Sequence, residues 1–493
     1  MLGVALTACS LAPDPVVVDA SRTPTVPTVT VSSVPPTPPS VTAPAVTNPD
    51  EQTVDRGSPV SRSAGDQRFP GLGSDSIDVD HYEVSLTYRA DGRSLSSTVT
   101  VAGTLLDDLD QIALDSNGPE IATVRSDGVP VGFTVEGREL VIDLGSRRRR
   151  GDVFTVSVDS SVEVVDQNFL AGDVGLFPTD AGLWSVNEPD GASTWLPVSD
   201  HPTDKATWTF HITVPTNLAA VANGELTAIE SGTDVSTFTW EQNEPMASYL
   251  VLLLVGEYEL VDDGTTDSGV ELDHAVLRSE RDDLDAYLTV TRDQMRFFES
   301  LFGPYPFERY GLAITDSIGG LAMETQGLSL FSSNELDGSL GPLQQAFLAH
   351  ELAHQWFGDA VSPASWNDIW LNEGFATYAQ WLWFDEAGLG DIERTAPRTL
   401  SGLPATGWPL SEPDELFGTV VYDGGAVTLH ALRRTVGDDA FFDGLRAWVA
   451  RYRDGSATTL DFQALMEDIS GIDLDAFFAD WVDADSIPSE FPT

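Results

Sequence analysis

Hydrophobic and polar positions change their period along the chain. Between about Phe69 and Leu260, short runs alternate apolar and polar residues, as in Tyr82-Glu83-Val84-Ser85-Leu86, Glu139-Leu140-Val141-Ile142-Asp143-Leu144 and Trp208-Thr209-Phe210-His211-Ile212-Thr213-Val214, and Gly, Asp, Asn or Pro break them apart. A period of two sends successive side chains to opposite faces of a sheet, so this region predicts an antiparallel β domain. From about Leu284 the spacing becomes helical: Leu284 to Phe302, Leu343 to Phe357, Glu373 to Ala387, Ala426 to Val436 and Ala440 to Tyr452 read as helices, with strands near Leu312 to Thr315 and Leu328 to Phe331. The second unit is therefore mixed α and β at first and helical toward its end. Ahead of both, residues 10–72 are rich in Pro, Thr, Val and Ser, with no aromatic residue before Phe69. Such a stretch has little to bury against the entropy of ordering and predicts a disordered linker. The boundaries that follow are 1–9, 10–72, 73–262 and 263–493.

The 493 residues give room for about three folded units. Against 78 Asp and Glu stand 25 Lys and Arg, a net charge of −53, and Lys205 is the sole lysine. A surface of this sign repels phosphate backbones and excludes nucleic acid as a partner. The acidic residues are scattered, which reads as a solvated surface rather than a substrate-steering patch. Arg147 to Arg150, followed by Gly151 and Asp152, predict a solvated hairpin turn between two strands. With Cys9 as the one cysteine, no disulfide framework is possible. Leu6-Thr7-Ala8-Cys9 resembles the bacterial lipobox, in which a signal peptide is cut before a lipid-modified cysteine; the short apolar run ahead of it, without a positive residue, leaves a truncated start or an accidental match as the alternatives. No other apolar run approaches the roughly 18 residues that span a bilayer. The expectation is a soluble monomer that touches the membrane only through a lipid on Cys9, held on the outer face of the bacterial envelope by the linker.

Candidate chemistry lies in the second unit. His350-Glu351-Leu352-Ala353-His354 falls in a helical stretch, so the two histidines, four positions apart, project from one face and can both ligate a zinc ion, with Glu351 beside them as a base toward water. Trp370-Leu371-Asn372-Glu373-Gly374-Phe375-Ala376 opens the next helix. Its Glu373, nineteen positions after His354, can return a carboxylate to the same ion. Two His and one Glu leave a fourth position for water, the pattern of a catalytic rather than a closed structural site, so one Zn2+ per chain is expected. His81, His201, His211, His274 and His430 lack ligand spacing.

This spacing, together with Asn-Glu-Gly-Phe-Ala, resembles the gluzincin metallopeptidases, and specifically the aminopeptidase N family that includes leukotriene hydrolase. The resemblance extends over roughly Asp78 to Asp483. Gly303-Pro304-Tyr305-Pro306-Phe307 is similar to the family's loop ahead of its catalytic strand, and Trp195-Leu196-Pro197-Val198-Ser199-Asp200 with Lys205-Ala206 to its β-domain signature, where Asp200 and Lys205 read as structural. A multidomain α+β fold is implied: an N-terminal antiparallel β saddle, then a thermolysin-like α/β catalytic domain with a helical C-terminal part. The short form of the family is implied as well, ending after Phe478, Trp481 and Val482, without the superhelical domain that many members carry.

Leu321-Ala322-Met323-Glu324-Thr325 is similar to the family's Gly-x-Met-Glu-Asn exopeptidase motif, departing from it at Leu321 and Thr325. The resemblance implies that the backbone at Ala322 and Met323 lines up the peptide while Glu324 binds its free α-amine. Glu188, in Asn187-Glu188-Pro189-Asp190-Gly191, matches a second amine-binding group supplied by the β domain. Tyr422 matches the tyrosine that donates to the oxyanion, although Gly424 stands where the family has a basic residue. The function implied is a zinc-dependent aminopeptidase acting on peptides with a free N-terminus, with Glu351 as general base. Three alternatives stand beside it: a thermolysin-type endopeptidase that needs neither Glu324 nor Glu188, an epoxide hydrolase resembling leukotriene hydrolase, and a non-enzymatic envelope-binding lipoprotein on the same fold.

Overall fold

The computed structural model describes residues 60–89, 93–169, 172–180, 182–316 and 322–492; Cys9, residues 10–59 of the predicted linker, and Leu321 lie outside the described residues. The alternating region folds into an eight-stranded sheet in the order Glu225–Ser231, Val235–Met246, Ala206–Pro215, Ile77–Arg89, Ser94–Leu105, Val153–Glu163, Glu120–Ser126 and Val129–Pro130. Burial alternates residue by residue along Ser94–Leu105 and Ala206–Pro215, as the sequence period requires. On the buried face Tyr82 lies opposite Trp208, their rings stacked at 4.0 Å. Truncating such an aromatic to Ala costs about 3–5 kcal/mol. Every pairing in this sheet is antiparallel except one: Ile77–Arg89 runs parallel to Ala206–Pro215. Local pattern cannot reveal that pair, because partners such as His81 and Thr207 are 126 residues apart. Arg147 to Arg150 lie at the turn between Glu139–Arg148 and Val153–Glu163, with Arg148 paired to Asp127, but the turn is not the hairpin the sequence suggested. Glu139–Arg148 pairs with Leu109–Asp115 and Phe133–Glu136 in a separate three-stranded sheet, so the turn passes the chain from one sheet to another. A smaller sheet of Ala219–Ala222, Leu253–Gly256, Leu183–Val186 and Gly175–Pro178 ends at the loop that carries Glu188.

Strand Tyr258–Thr265 pairs with Glu271–Leu277 in the sheet of the second domain, so the change of domain falls near Gly256 rather than at 262/263. Both sides of the junction are strands, and the sequence period therefore does not change there. The second sheet continues through Leu312–Thr315, Ser329–Ser332 and Ala322–Met323, parallel at its centre and antiparallel at both edges. Eight helices are described in this half: α1 (Arg281–Phe302), α2 (Pro342–His354), α3 (Trp370–Glu386), α4 (Ile392–Gly402), α5 (Gly425–Val436), α6 (Asp438–Tyr452), α7 (Thr459–Ser470) and α8 (Asp475–Trp481). α4, α7 and α8 add to the five predicted individually. α4 contains Pro397 and buries only Ile392 and Ala396, too little for a periodic signal. At the centre, α3 is buried without a break from Trp370 to Phe384, and α2 from Ala346 to His354. Both are core helices with no wet face.

The end of the predicted linker is not linker. Residues 60–72 lie across both domains because they contain one carboxylate and two apolar side chains with places to go. Asp66, 5% exposed, accepts from the backbone N–H groups of Arg68 (2.7 Å), Phe69 (2.9 Å) and Trp366 (2.7 Å), and meets His201 Nε2 at 3.3 Å. Burial alone would raise its pKa, but His201 and these N–H groups outweigh burial and hold the carboxyl well below the usual range. Phe69 packs edge-on against Trp366, Leu72 is buried, and Arg68 donates to the carbonyls of Pro413 and Asp414.

Candidate active site

Helix α2 delivers His350, Glu351 and His354 from its last turn, and α3 delivers Glu373 from its first. Packing of α2 on α3 brings His350 Nε2 to 3.1 Å and His354 Nε2 to 3.4 Å from the same oxygen, Glu373 Oε2. His354 Nδ1 lies 3.1 Å from the Phe357 carbonyl, which can only accept, so Nδ1 carries the proton and Nε2 turns a lone pair to the centre. All three residues are buried, and their ligand atoms lie within 4.8 Å of one another. Two imidazoles and one carboxylate with a side left open are a donor set that fits zinc.

Electrostatics support a cation at the same point. Glu188, Glu324, Glu351 and Glu373 are all buried around this centre. Burial, and then the neighbouring carboxylates, push Glu188 well up; burial likewise raises Glu351 and Glu324 even though His354 opposes it. Burial pulls His350 down. It would pull His354 down too, but Glu324 and Glu373 outweigh it and push that imidazole well above its ordinary value. Glu373 falls to about 2, because His354 and both histidine contacts overcome its burial. The surplus of carboxylates thus recruits positive charge to the gap between the histidines.

Across the cleft, Glu324 follows the edge strand Ala322–Met323, paired antiparallel to Ser329–Ser332. Glu188 reaches in from the β domain. One oxygen of each, Glu188 Oε1 and Glu324 Oε1, is buried without a hydrogen-bond partner among the described residues. Tyr422 sits in a wide π-type turn, Val420–Gly424, at the head of α5, its ring nearly parallel to that of His350 at 5.9 Å. Burial and then Glu373 hold its phenol well above the usual value, so it keeps its proton to donate. The sequence-predicted residues Glu188, Ala322, Met323, Glu324, His350, Glu351, His354, Glu373 and Tyr422 all line one cleft. Asp200 and Lys205 stay outside it: Asp200 accepts from Ser193 N and Ser248 Oγ, and Lys205 donates to backbone carbonyls.

Sequence reasoning passed over several residues that set this geometry. A Cβ on Gly374 would come within 2.8 Å of the Gly425 Cα, and one on Gly425 within 2.7 Å of the Gly374 Cα. The two glycines let α3 and α5 meet backbone to backbone, which carries the turn of Tyr422 up to Glu373. A Cβ on Gly424 would meet the Trp408 ring at 2.8 Å, so an indole fills the place where a basic side chain was expected. Gln355, directly after the second histidine, donates to the Glu324 carbonyl (3.0 Å) and accepts from Gly327 N (2.8 Å), fixing the loop behind the edge strand. Its burial at 0% exposure was the only signal, and that is visible only in the fold. Phe169, Val186 and Phe417 supply apolar walls.

Comparison with known proteins agrees with this geometry. Residues 78–250 match the family model described as the peptidase M1 N-terminal domain, and residues 286–402 and 406–481 that of the peptidase family M1 domain. The chain is similar to the M1 zinc metallopeptidase of Deinococcus radiodurans, with 31% identity, a TM-score of 0.79, and coverage of 86% of this chain and 98% of that one. Among curated relatives it is 27% identical to probable aminopeptidase 2 of Sulfurisphaera tokodaii, covering 77% of this chain and 50% of the relative. With aminopeptidase N of Streptomyces lividans the identity is 25%, over 87% of this chain and 52% of the relative. The chain thus spans about half the length of the curated relatives it matches. A β domain closing over a buried His-Glu-x-x-His and Glu centre, with both halves matched, places this chain in peptidase family M1.

Proposed function

We propose that the protein is a zinc-dependent aminopeptidase that removes the first residue from peptides with a free N-terminus. The observation that carries this reading is the pair Glu188 and Glu324: buried carboxylates with unpartnered oxygens beside a metal-type centre, in a position that hydrolysis itself does not require. An α-ammonium group entering that end of the cleft pairs with both and gives each the partner it lacks. His350, His354 and Glu373 would hold the zinc, which supplies Lewis-acid polarisation of the scissile carbonyl and a more acidic water. Glu351 takes the proton of the attacking water and passes it to the leaving amine. Tyr422 donates to the oxygen on which charge develops. Support also comes from the Deinococcus radiodurans relative, a variant of which was crystallised with a Tyr-Ser-Ala substrate.

The test is turnover of an aminoacyl-coumarin panel with and without a chelator, beside the same peptides N-acetylated. Cleavage of free-amine substrates that the chelator abolishes supports the reading. Internal cleavage of acetylated peptides at an equal rate would replace it with the endopeptidase.

We further propose that the enzyme works as a monomer on the outer face of a bacterial envelope, through a lipid on Cys9. Support comes from Leu6-Thr7-Ala8-Cys9 and the Pro- and Thr-rich stretch behind it. No helix among the described residues is long and apolar enough to cross a membrane.

A further inference from the structure

Immediately after α2, the chain turns through Phe357, Gly358, Asp359 and Ala360 before entering strand Val361–Pro363. Three consecutive carbonyls of this turn accept hydrogen bonds from the β domain. Tyr249 Oη donates to Gly358 O at 3.1 Å, and Lys205 Nζ donates to Asp359 O at 2.7 Å and Ala360 O at 3.2 Å. The Tyr249 hydroxyl also accepts from Asn372 Nδ2 at 3.4 Å, next to Glu373 on α3. One buried phenol from the β domain therefore joins the turn that follows α2 to the start of α3, and these two helices bear all three candidate ligands.

The turn is in direct touch with a ligand. Phe357 O accepts from His354 Nδ1, and the Gly358 backbone fills the space between Asn372 and the His354 ring: a Cβ there would lie 3.1 Å from Asn372 Nδ2 and 3.5 Å from His354 Nδ1. Asn372 has no other side-chain partner to settle on, since its Oδ1 is buried and unpaired. Gly358 O has a second donor in Ser362 Oγ, so loss of Tyr249 would free the turn without stripping it. Lys205, the sole lysine of the chain, is thus engaged on two of the three carbonyls of this turn.

We propose that Tyr249 and Lys205 are positioning residues of the metal centre: the β domain acts as a clamp that sets His354 and Glu373, so that metal affinity depends on the domain that contributes no metal ligand. This rests on the zinc reading above. Hydrogen-bond partners behind metal ligands change affinity by about 10–100-fold when removed.

The test compares Tyr249→Phe with Tyr258→Phe, which loses a buried hydroxyl bonded to Thr315 Oγ1 at 2.7 Å in the second domain's sheet, away from the turn. Zinc dissociation constants would be measured by competition with a chromogenic chelator, and Tm on the metal-free proteins. Tyr249→Phe is expected to bind zinc about tenfold more weakly than the unsubstituted chain, Tyr258→Phe equally well, with metal-free Tm values of the two variants alike. Lys205→Met should weaken zinc in the same direction. Zinc affinity of Tyr249→Phe within twofold of the unsubstituted chain, or an equal loss in Tyr258→Phe, overturns the clamp. An unsubstituted chain that takes up no zinc overturns the catalytic reading as well, a result distinct from failure of the clamp alone.

Discussion

The two walls of the cleft are built by opposite means. The metal wall takes His350 and Glu373, 23 residues apart, from two neighbouring helices that are buried on every side. The amine wall takes Glu324 from an edge strand and Glu188 from a loop of the other domain, held in place by Asn187, Ser193 and Asp200. The first wall is local and rigid, and its chemistry is set by i to i+4 geometry. The second exists only once two domains have closed, and its chemistry is set by buried carboxylates whose Oε1 atoms have no hydrogen bond among the described residues, Glu324 Oε1 lying 3.8 Å from His354 Nδ1. On the proposed reading, reaction and register of cutting are thereby entrusted to separate parts of the fold.

A break in the metal wall should have the largest effect. Glu351→Gln is expected to retain stoichiometric zinc, since the residue is not among the ligands, and to lose about a thousandfold in kcat because the base is gone. Metal analysis and steady-state kinetics on the same sample check this; near-normal turnover would mean that another group activates the water.

A break in the amine wall should be smaller and selective. Glu324→Ala removes a charged hydrogen bond worth about 1.5–3 kcal/mol, or about 10–150-fold in kcat/KM on free-amine substrates. The already poor rate on N-acetylated peptides should not fall further. Equal losses on both substrate types would show that Glu324 supports the fold and not the amine.

The smallest effect probes the scaffold behind the amine wall. Asp115, Asp200 and Asp204 are each raised by burial to about 7, from an ordinary value near 3.8. Between these values the folded chain keeps protons that the unfolded chain releases, so stability should decline as pH rises from about 4 to 7 and level off above. Asp66 has the opposite sign: its contribution is full above the unfolded carboxylate pKa and is lost as pH falls through that value and below. Tm measured from pH 5 to 8 should therefore fall, and Asp200→Asn should flatten part of the slope. An unchanged slope in that variant would remove Asp200 from the account.

The same contrast explains what could be read from sequence. His350, Glu351, His354 and Glu373 were legible because their relation is helical spacing, which a chain displays before it folds. Alternation along residues 82–86 and 208–214 was legible for the same reason. Ile77–Arg89 beside Ala206–Pro215 in parallel, Gln355 behind Glu324 and the Gly374–Gly425 contact are relations between distant segments, and no local period encodes them. Glu188 and Glu324 became candidates only through family resemblance. Averaged composition hid the structure of residues 60–72, since one aspartate and a few apolar side chains scarcely alter a Pro- and Thr-rich background.

Asp66 also imposes an order of events during synthesis. Its partner His201 lies 135 residues downstream and Trp366 lies 300. At roughly 5–20 residues per second, the ribosome needs about 15–60 s to supply the second of them. Until then the carboxylate has the N–H groups of Arg68 and Phe69 and then His201 within reach but not the Trp366 N–H, while the β domain behind it has all its strands in hand. The segment around Asp66 is thus made well before the partners that fix it and is among the last to find its place.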